Sequence, residues 1–375
     1  MAVPRDYAYD EEQEMLKSAV KRFVSDIEPL SSLRSSLAGT EDPHLGDTRL
    51  GYFDLDAWAR MTSLGWQALA LPEQAGGADM GLVSAVAVVE EIGFGAMPSP
   101  LGVTLESSFL LREMNSEAAL EVSRRIVDGE AVTWGFMTSE GSLDVSVNGV
   151  QENEGVLKGA VHFVQDLQKC KALLLPATNS GRTAWFVVEL DSPGTSIKRD
   201  RIVDLTRDQG SVLFENVQAT QLSDYLPDNQ VYQRARPALL TLISADIAGS
   251  AEWMLQTTVE YAKTRIQFDR PIGFFQAVKH PLVDVMVHID GTRSLVYAAA
   301  ATFDHEREGA LPAALSAKAS ASETAEFSAN RGTQLHGGIG FTWESDVQIY
   351  HKRLIHSQHL LGDGMHHRRE LAALL

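Results

Sequence analysis

The sequence predicts a mainly α-helical protein with a β-domain in its middle: N-terminal helices, an antiparallel β-barrel-like unit, then a C-terminal helical bundle. Three observations carry this. Apolar residues recur at helical spacing before residue 130 and after 232. Between 131 and 220 the segments are short and β-prone, namely AVTWGFMT, VSVNGV, ALLLPAT, TAWFVVEL and SVLFENV. Long Ala-rich runs at 296–303 and 312–329 fit closely packed helices. The implied domains are 1–130, 131–231 and 232–375.

Residues 10–31 read as an amphipathic helix, with Met15, Ala19 and Phe23 on one face beside Val20. The Ser-, Gly- and Asp-rich stretch 31–52 reads as loop. Helical spacing returns over 53–66, ending near Gly65, and over 82–94, ending at Gly93. Pro98 and Pro100 stop that second helix, and 101–128 is helical again. In the middle domain Asn-Gly and Ser-Gly pairs separate the strands, as tight turns require.

Composition narrows the function. The 375 residues carry a net charge of −18, which argues against a nucleic-acid partner needing a basic face. The single cysteine, Cys170, excludes an intrachain disulfide and reads as a buried thiol in a strand, fitting a reducing cytoplasm. The polar, acidic start MAVPRDYAYDEEQEML reads as no signal peptide, and no uncharged apolar run reaches the ~20 residues of a membrane span.

Two motifs carry chemistry. In YAKTRIQFDRPIGFFQAVKH, Arg265 offers a fork of donors suited to a diphosphate, Phe268 a flat apolar face, and Gln276 a donor with an acceptor. In QLHGGIGFTWESDVQIYHKR, Gln334 supplies an amide, while Gly337, Gly338 and Gly340 supply bare backbone that a ligand can approach. With the stretch LGWQALALPEQAGGADMGLVSAVAVVEEIG, these motifs make the chain resemble the acyl-CoA dehydrogenase family over residues 10–375.

That resemblance implies FAD clamped between neighbouring subunits, hence a homo- or hetero-oligomer, a dimer or tetramer. It implies an acyl-CoA substrate and an electron-transfer flavoprotein or similar acceptor as partners. It also implies flavin contacts from the β-domain. There Thr138 holds the family's Thr-Glu-Pro position, although the run is Thr138-Ser139-Glu140, and Phe163 falls where the family usually has Trp.

Family chemistry is α,β-dehydrogenation: a carboxylate takes the α-proton and the flavin takes the β-hydrogen as hydride. The usual base is the Glu of a Glu-Gly-Thr turn; counting from Arg353, that position is Gly362 here. Some members carry the base on the helix that here contains Leu239. Asp246 lies seven residues on, nearly the same face and roughly 10 Å further along the axis. Asp246 is the first candidate base, Asp363 the second. The competing reading of Asp246 is a buried acid satisfied by capping or by pairing across helices. The missing Glu also fits a chain that completes a partner's site, as in mixed tetramers for bulky substrates such as steroid side chains. A flavin oxidase on the same fold stays open, because oxygen access is set by packing.

The remaining residues read as structure. His351, His356, His359, His366 and His367 lack metal-ligand spacing and read as solvated or interfacial, so no metal is expected. Glu90 and Glu91 read as a solvated or paired helix face, and the six Trp as core.

Overall fold

The computed structural model describes residues 9–37, 53–225 and 230–374. Among the described residues six helices come first: α1 (Glu11–Ile27), α2 (Pro29–Leu37), α3 (Leu55–Ser63), α4 (Leu82–Phe94), α5 (Leu101–Arg112) and α6 (Glu117–Val127). Eight strands follow: β1 (Val132–Trp134), β2 (Val150–Asn153), β3 (Val156–Gln165), β4 (Ala172–Asn179), β5 (Arg182–Glu189), β6 (Thr195–Arg199), β7 (Gln209–Gln218) and β8 (Thr220–Gln221). The long helix α7 (Gln230–Thr264), the two-residue strands β9 (Ile266–Gln267) and β10 (Arg270–Pro271), and helices α8 (Gln276–His305), α9 (Ala310–His336), α10 (Val347–Ser357) and α11 (Gly364–Leu374) complete the chain. The helix–sheet–helix order is the expected one.

Packing sorts these elements into two compact units: Met1–Arg34 with Leu82–Met97 and Leu240–Leu375, and Ser35–Gly81 with Pro98–Leu239.

In the first unit α1 opens on a capping box, with the Asp10 carboxylate accepting from Gln13 N at 2.8 Å and the Gln13 amide oxygen accepting from Asp10 N at 3.1 Å. Its buried seam is Val20, Phe23 and Val24; Met15, expected on that face, is 72% exposed. The stretch from 31 to 37, read as loop, continues α2, while 38–52 lie outside the described residues. Gly93 lies inside α4 rather than ending it, and its role is contact. A Cβ there would sit 2.3 Å from Asp246 O, and one at Gly249 would sit 1.8 Å from Glu90 O, so α4 and α7 cross on bare backbone. Ser250 Oγ seals the crossing by donating to Gly93 O at 2.9 Å. The α9 stripe of Ala314, Ala317, Ala321 and Ala325 is fully buried, which small side chains permit without voids. Helix α7 is long and apolar enough to cross a membrane, yet 83% of that stretch is buried inside the protein.

The carboxylate of Glu90 is buried and collects Lys17 Nζ at 2.9 Å, Arg293 Nε at 2.7 Å and Tyr297 OH at 3.0 Å. Burial pushes this carboxyl up, but Lys17 and Arg293 outweigh it, so the net shift is below the usual range. Of the six Trp, four are buried, Trp253 is half-buried against Tyr350 at 3.6 Å, and Trp343 is 47% exposed.

In the second unit the sheet order is β6-β7-β3-β2-β4-β5-β8, with β1 beside β4. Pairing is antiparallel except where β4 meets β1 and β2 in parallel. VSVNGV forms a 3-10 turn and then the start of β2, not a full strand. Strand β3, which strand patterning does not mark out, lies between β2 and β7. Its Gly159 needs glycine: φ is +131°, and a Cβ would meet Gly149 O at 2.0 Å. Cys170 is buried just before β4 rather than within a strand, and burial raises its thiol pKa well above the ordinary value.

Candidate active site

Helix α7 ends at Thr264, and Arg265 N still donates to Tyr261 O at 2.8 Å. The chain then turns through β9 and β10, whose two-residue connection places Phe268 at φ +54° and Asp269 at φ +60°. A hairpin loop with both central residues left-handed matches the strand twist. It also holds Phe268 outward, 85% exposed, with Ile266 60% and Phe274 56% exposed beside it. Arg265 and Gln276, the first residue of α8, are exposed too. Among the described residues Arg265 makes no ion pair, so its guanidinium fork is available to an anion.

At the far end of α9, Gln334 is exposed and Gly337 terminates the helix at φ +63°. A Cβ at Gly337 or Gly338 would meet nothing within 4 Å, so this backbone faces open space. Gly340 is different: a Cβ would press His336 Cβ at 3.1 Å, which makes it a packing glycine. Exposed apolar residues continue the surface, with Ile339 at 49% and Phe341 at 72%.

The β-unit brings its two expected residues together. Met137 bridges His162, so half-buried Thr138 lies beside the strand position of Phe163. Phe163 is 37% exposed at φ +58°. A Cβ at Gly141, in the turn closed by Gly141 N donating to Thr138 O at 3.0 Å, would lie 3.8 Å from the Phe163 ring. The ends of α7 and α9 thus expose a cationic fork, an aromatic face, two amides and open glycine backbone.

The candidate bases have defined partners. Asp246 is buried, as expected, but an ion pair from Arg353 of α10 reaches its carboxylate. Both side chains are nearly inaccessible, at 6% and 3% exposure. Asp363 is exposed and accepts from His366 N at 2.8 Å, a bond that holds its carboxyl below the ordinary value. At Gly362 φ is +104°, and a Cβ would lie 2.7 Å from the His366 ring and 3.1 Å from His367 Nε2. The backbone there admits no side chain without rearrangement.

Sequence reasoning passed over Lys318. Its ammonium is buried and donates to Ser322 Oγ at 2.8 Å, Gln358 O at 2.9 Å and Gly362 O at 2.8 Å. It therefore holds the loop that contains Gly362. Burial pushes it down to about 7, against a smaller upward pull from Asp363. The available signal was a lone charge inside an alanine run, ALSAKASAS. Of the histidines, His367 is fully buried rather than solvated, and with His366 and Glu370 it brings ligand atoms within 4.8 Å of one another.

Comparison with known proteins agrees with this geometry. Residues 10–121 match the model of the acyl-CoA dehydrogenase N-terminal domain, and residues 241–373 that of the C-terminal domain. Acyl-CoA dehydrogenase IpdE2 of Mycobacterium tuberculosis is 31% identical over 354 residues, covering 94% of this chain and 93% of its own. Among solved structures, a variant of the Tcur3481-Tcur3483 steroid ACAD is 27% identical, with a TM-score of 0.85 over 97% of each chain. The ChsE4-ChsE5 complex of Mycobacterium tuberculosis shares the fold at 24% identity and a TM-score of 0.85, over 98% of each chain.

Proposed function

The chain belongs to the acyl-CoA dehydrogenase family, and on that premise we propose that it binds FAD and serves the α,β-dehydrogenation of an acyl-CoA thioester within an oligomer. The observation that carries the FAD reading is the set of exposed, accessible groups at the end of α7 and the end of α9. Arg265 would meet the diphosphate, Phe268 and Gln276 would line its path, and Gln334 with the Gly337-Gly338 backbone would hold the adenosine end. Thr138 and Phe163 would border the flavin ring. When bound, FAD supplies the hydride acceptor, and an electron-transfer flavoprotein or similar acceptor would then take the electrons. The single buried thiol fits a cytoplasmic location.

One observation favours a more specific reading: the closed backbone at Gly362. Asp246 is ion-paired with Arg353, Asp363 caps α11 with its carboxyl held below the ordinary value, and Gly362 carries no carboxylate. This supports a half-site subunit whose proton acceptor comes from a partner chain. The similarity to a steroid ACAD named for two components points the same way, toward a bulky acyl-CoA.

The test is to load the purified chain with FAD, alone and with a second acyl-CoA dehydrogenase chain. A panel of acyl-CoAs is then added without oxygen while flavin bleaching is followed. The half-site reading expects flavin bound in both samples and bleached only in the mixed one. Bleaching by the chain alone would refute it; an absence of bound flavin in both would refute the FAD assignment.

A further inference from the structure

Strand β3 has its phase shifted at one point. Val161 pairs with Val212 and Val164 with Gly210, so His162 and Phe163 together oppose the single residue Ser211. This is a β-bulge. In a regular strand residues three apart face opposite sides, yet Val161 and Val164 are both buried and both approach Gly135. A Cβ at Gly135 would meet Val164 Cγ2 at 2.8 Å and Val161 Cγ2 at 3.3 Å. Without the bulge, a strand keeping Val161 inward would turn Phe163 inward and Val164 outward.

The bulge has visible supports. His162 Nδ1 and Ser211 Oγ are 2.9 Å apart across it, and His162 N donates to Met137 O at 2.9 Å. Gln165 Nε2 donates to Phe163 O at 3.1 Å and to Gln209 Oε1 at 2.7 Å. Phe163 has left-handed backbone, unfavourable for a bulky residue, so it persists only where its surroundings fix it.

We propose that His162 and Ser211 are positioning residues: their hydrogen bond locks the bulge that presents the Phe163 ring, beside Thr138, to the flavin. The inference rests on the reading that this part of the β-unit borders the flavin.

The experiment uses the intact flavin-loaded assembly and compares Phe163→Ala, Ser211→Ala and Ser211→Thr. FAD affinity is measured by fluorescence titration, and the environment of the ring by the visible circular dichroism of bound flavin. Ser211→Ala should weaken FAD on the order of fivefold, the worth of one neutral hydrogen bond. It should also shift the dichroism in the same sense as Phe163→Ala. Ser211→Thr, which keeps the hydroxyl, should restore both. If Phe163→Ala changes affinity and dichroism but Ser211→Ala changes neither, the positioning role is wrong. If Phe163→Ala itself changes neither, the flavin-facing reading fails and takes the inference with it. Should Ser211→Ala not fold, His162→Phe breaks the same bond from the other strand and decides between the same outcomes.

Discussion

Replacing Asp246 by Asn separates a structural ion pair from a catalytic base. The substitution keeps the side-chain shape and removes the charge, leaving the Arg353 guanidinium buried without its carboxylate. Breaking a buried pair from one side costs about 3–5 kcal/mol. Asn still offers an acceptor oxygen, so the lower end applies, about 3 kcal/mol. Over 375 residues the unfolding entropy is about 0.8 kcal/mol/K, from roughly 2.1 cal/mol/K per residue. The melting temperature should therefore fall by about 4 °C, measured by scanning calorimetry on the FAD-loaded assembly. Flavin reduction by acyl-CoA in that assembly should keep its rate. Combining Asp246→Asn with Arg353→Met should recover part of the loss, because the buried positive charge is gone. An unchanged melting temperature with reduction slowed by orders of magnitude would refute the reasoning and make Asp246 the base.

Three further outcomes are expected. Arg265→Ala should weaken FAD by about ten- to a hundredfold, the loss of a charged bond to a phosphate, with no change in melting of the flavin-free protein; flavin titration and calorimetry check the two halves. Gly249→Ala should abolish soluble expression or cut stability by at least ~1–3 kcal/mol, since the new methyl overlaps Glu90 O, and denaturant unfolding reads it. Glu90, held below its ordinary pKa, contributes stability that is present above about pH 4.5 and lost as pH falls through its folded value. Acid unfolding of Glu90→Gln should lack that part of the pH dependence and start from a lower stability at neutral pH.

Much of the fold was legible because it rests on local pattern. The turn pairs, the prolines after α4 and the alanine runs act within a few residues, and the elements follow them. Strand β3 was not legible for the same reason in reverse. Lys158, Gly159 and the bulge at His162–Phe163 break the alternation on which strand recognition depends, and β3 is held by β2 and β7 rather than by its own sequence. Linear order also hides packing. Helices α1 and α4 are distant in sequence from the C-terminal bundle, yet they share a compact unit with it, joined through glycine backbone that no propensity scale marks.

The site divides along the same line. The exposure of Arg265, Phe268, Gln334 and the Gly337-Gly338 pair follows from their motif neighbours, which set it within one turn of chain. Asp246 could be read only halfway. An isolated carboxylate among Ile243, Ile247 and Ala248 announces burial, and burial alone suggests a raised proton affinity. What the sequence does not show is the ion-pair partner, Arg353, 107 residues away in sequence and itself buried. A buried acid is informative only together with its counter-ion, and Arg353 follows His351 and Lys352 in a polar run, so nothing local marks it as buried. Charges of opposite sign buried against each other are more simply explained by each other than by a substrate. On that argument we propose that the proton acceptor lies outside Asp246. Gly362, at a backbone angle that disfavours any side chain, extends that proposal to the loop where the resemblance would put a base.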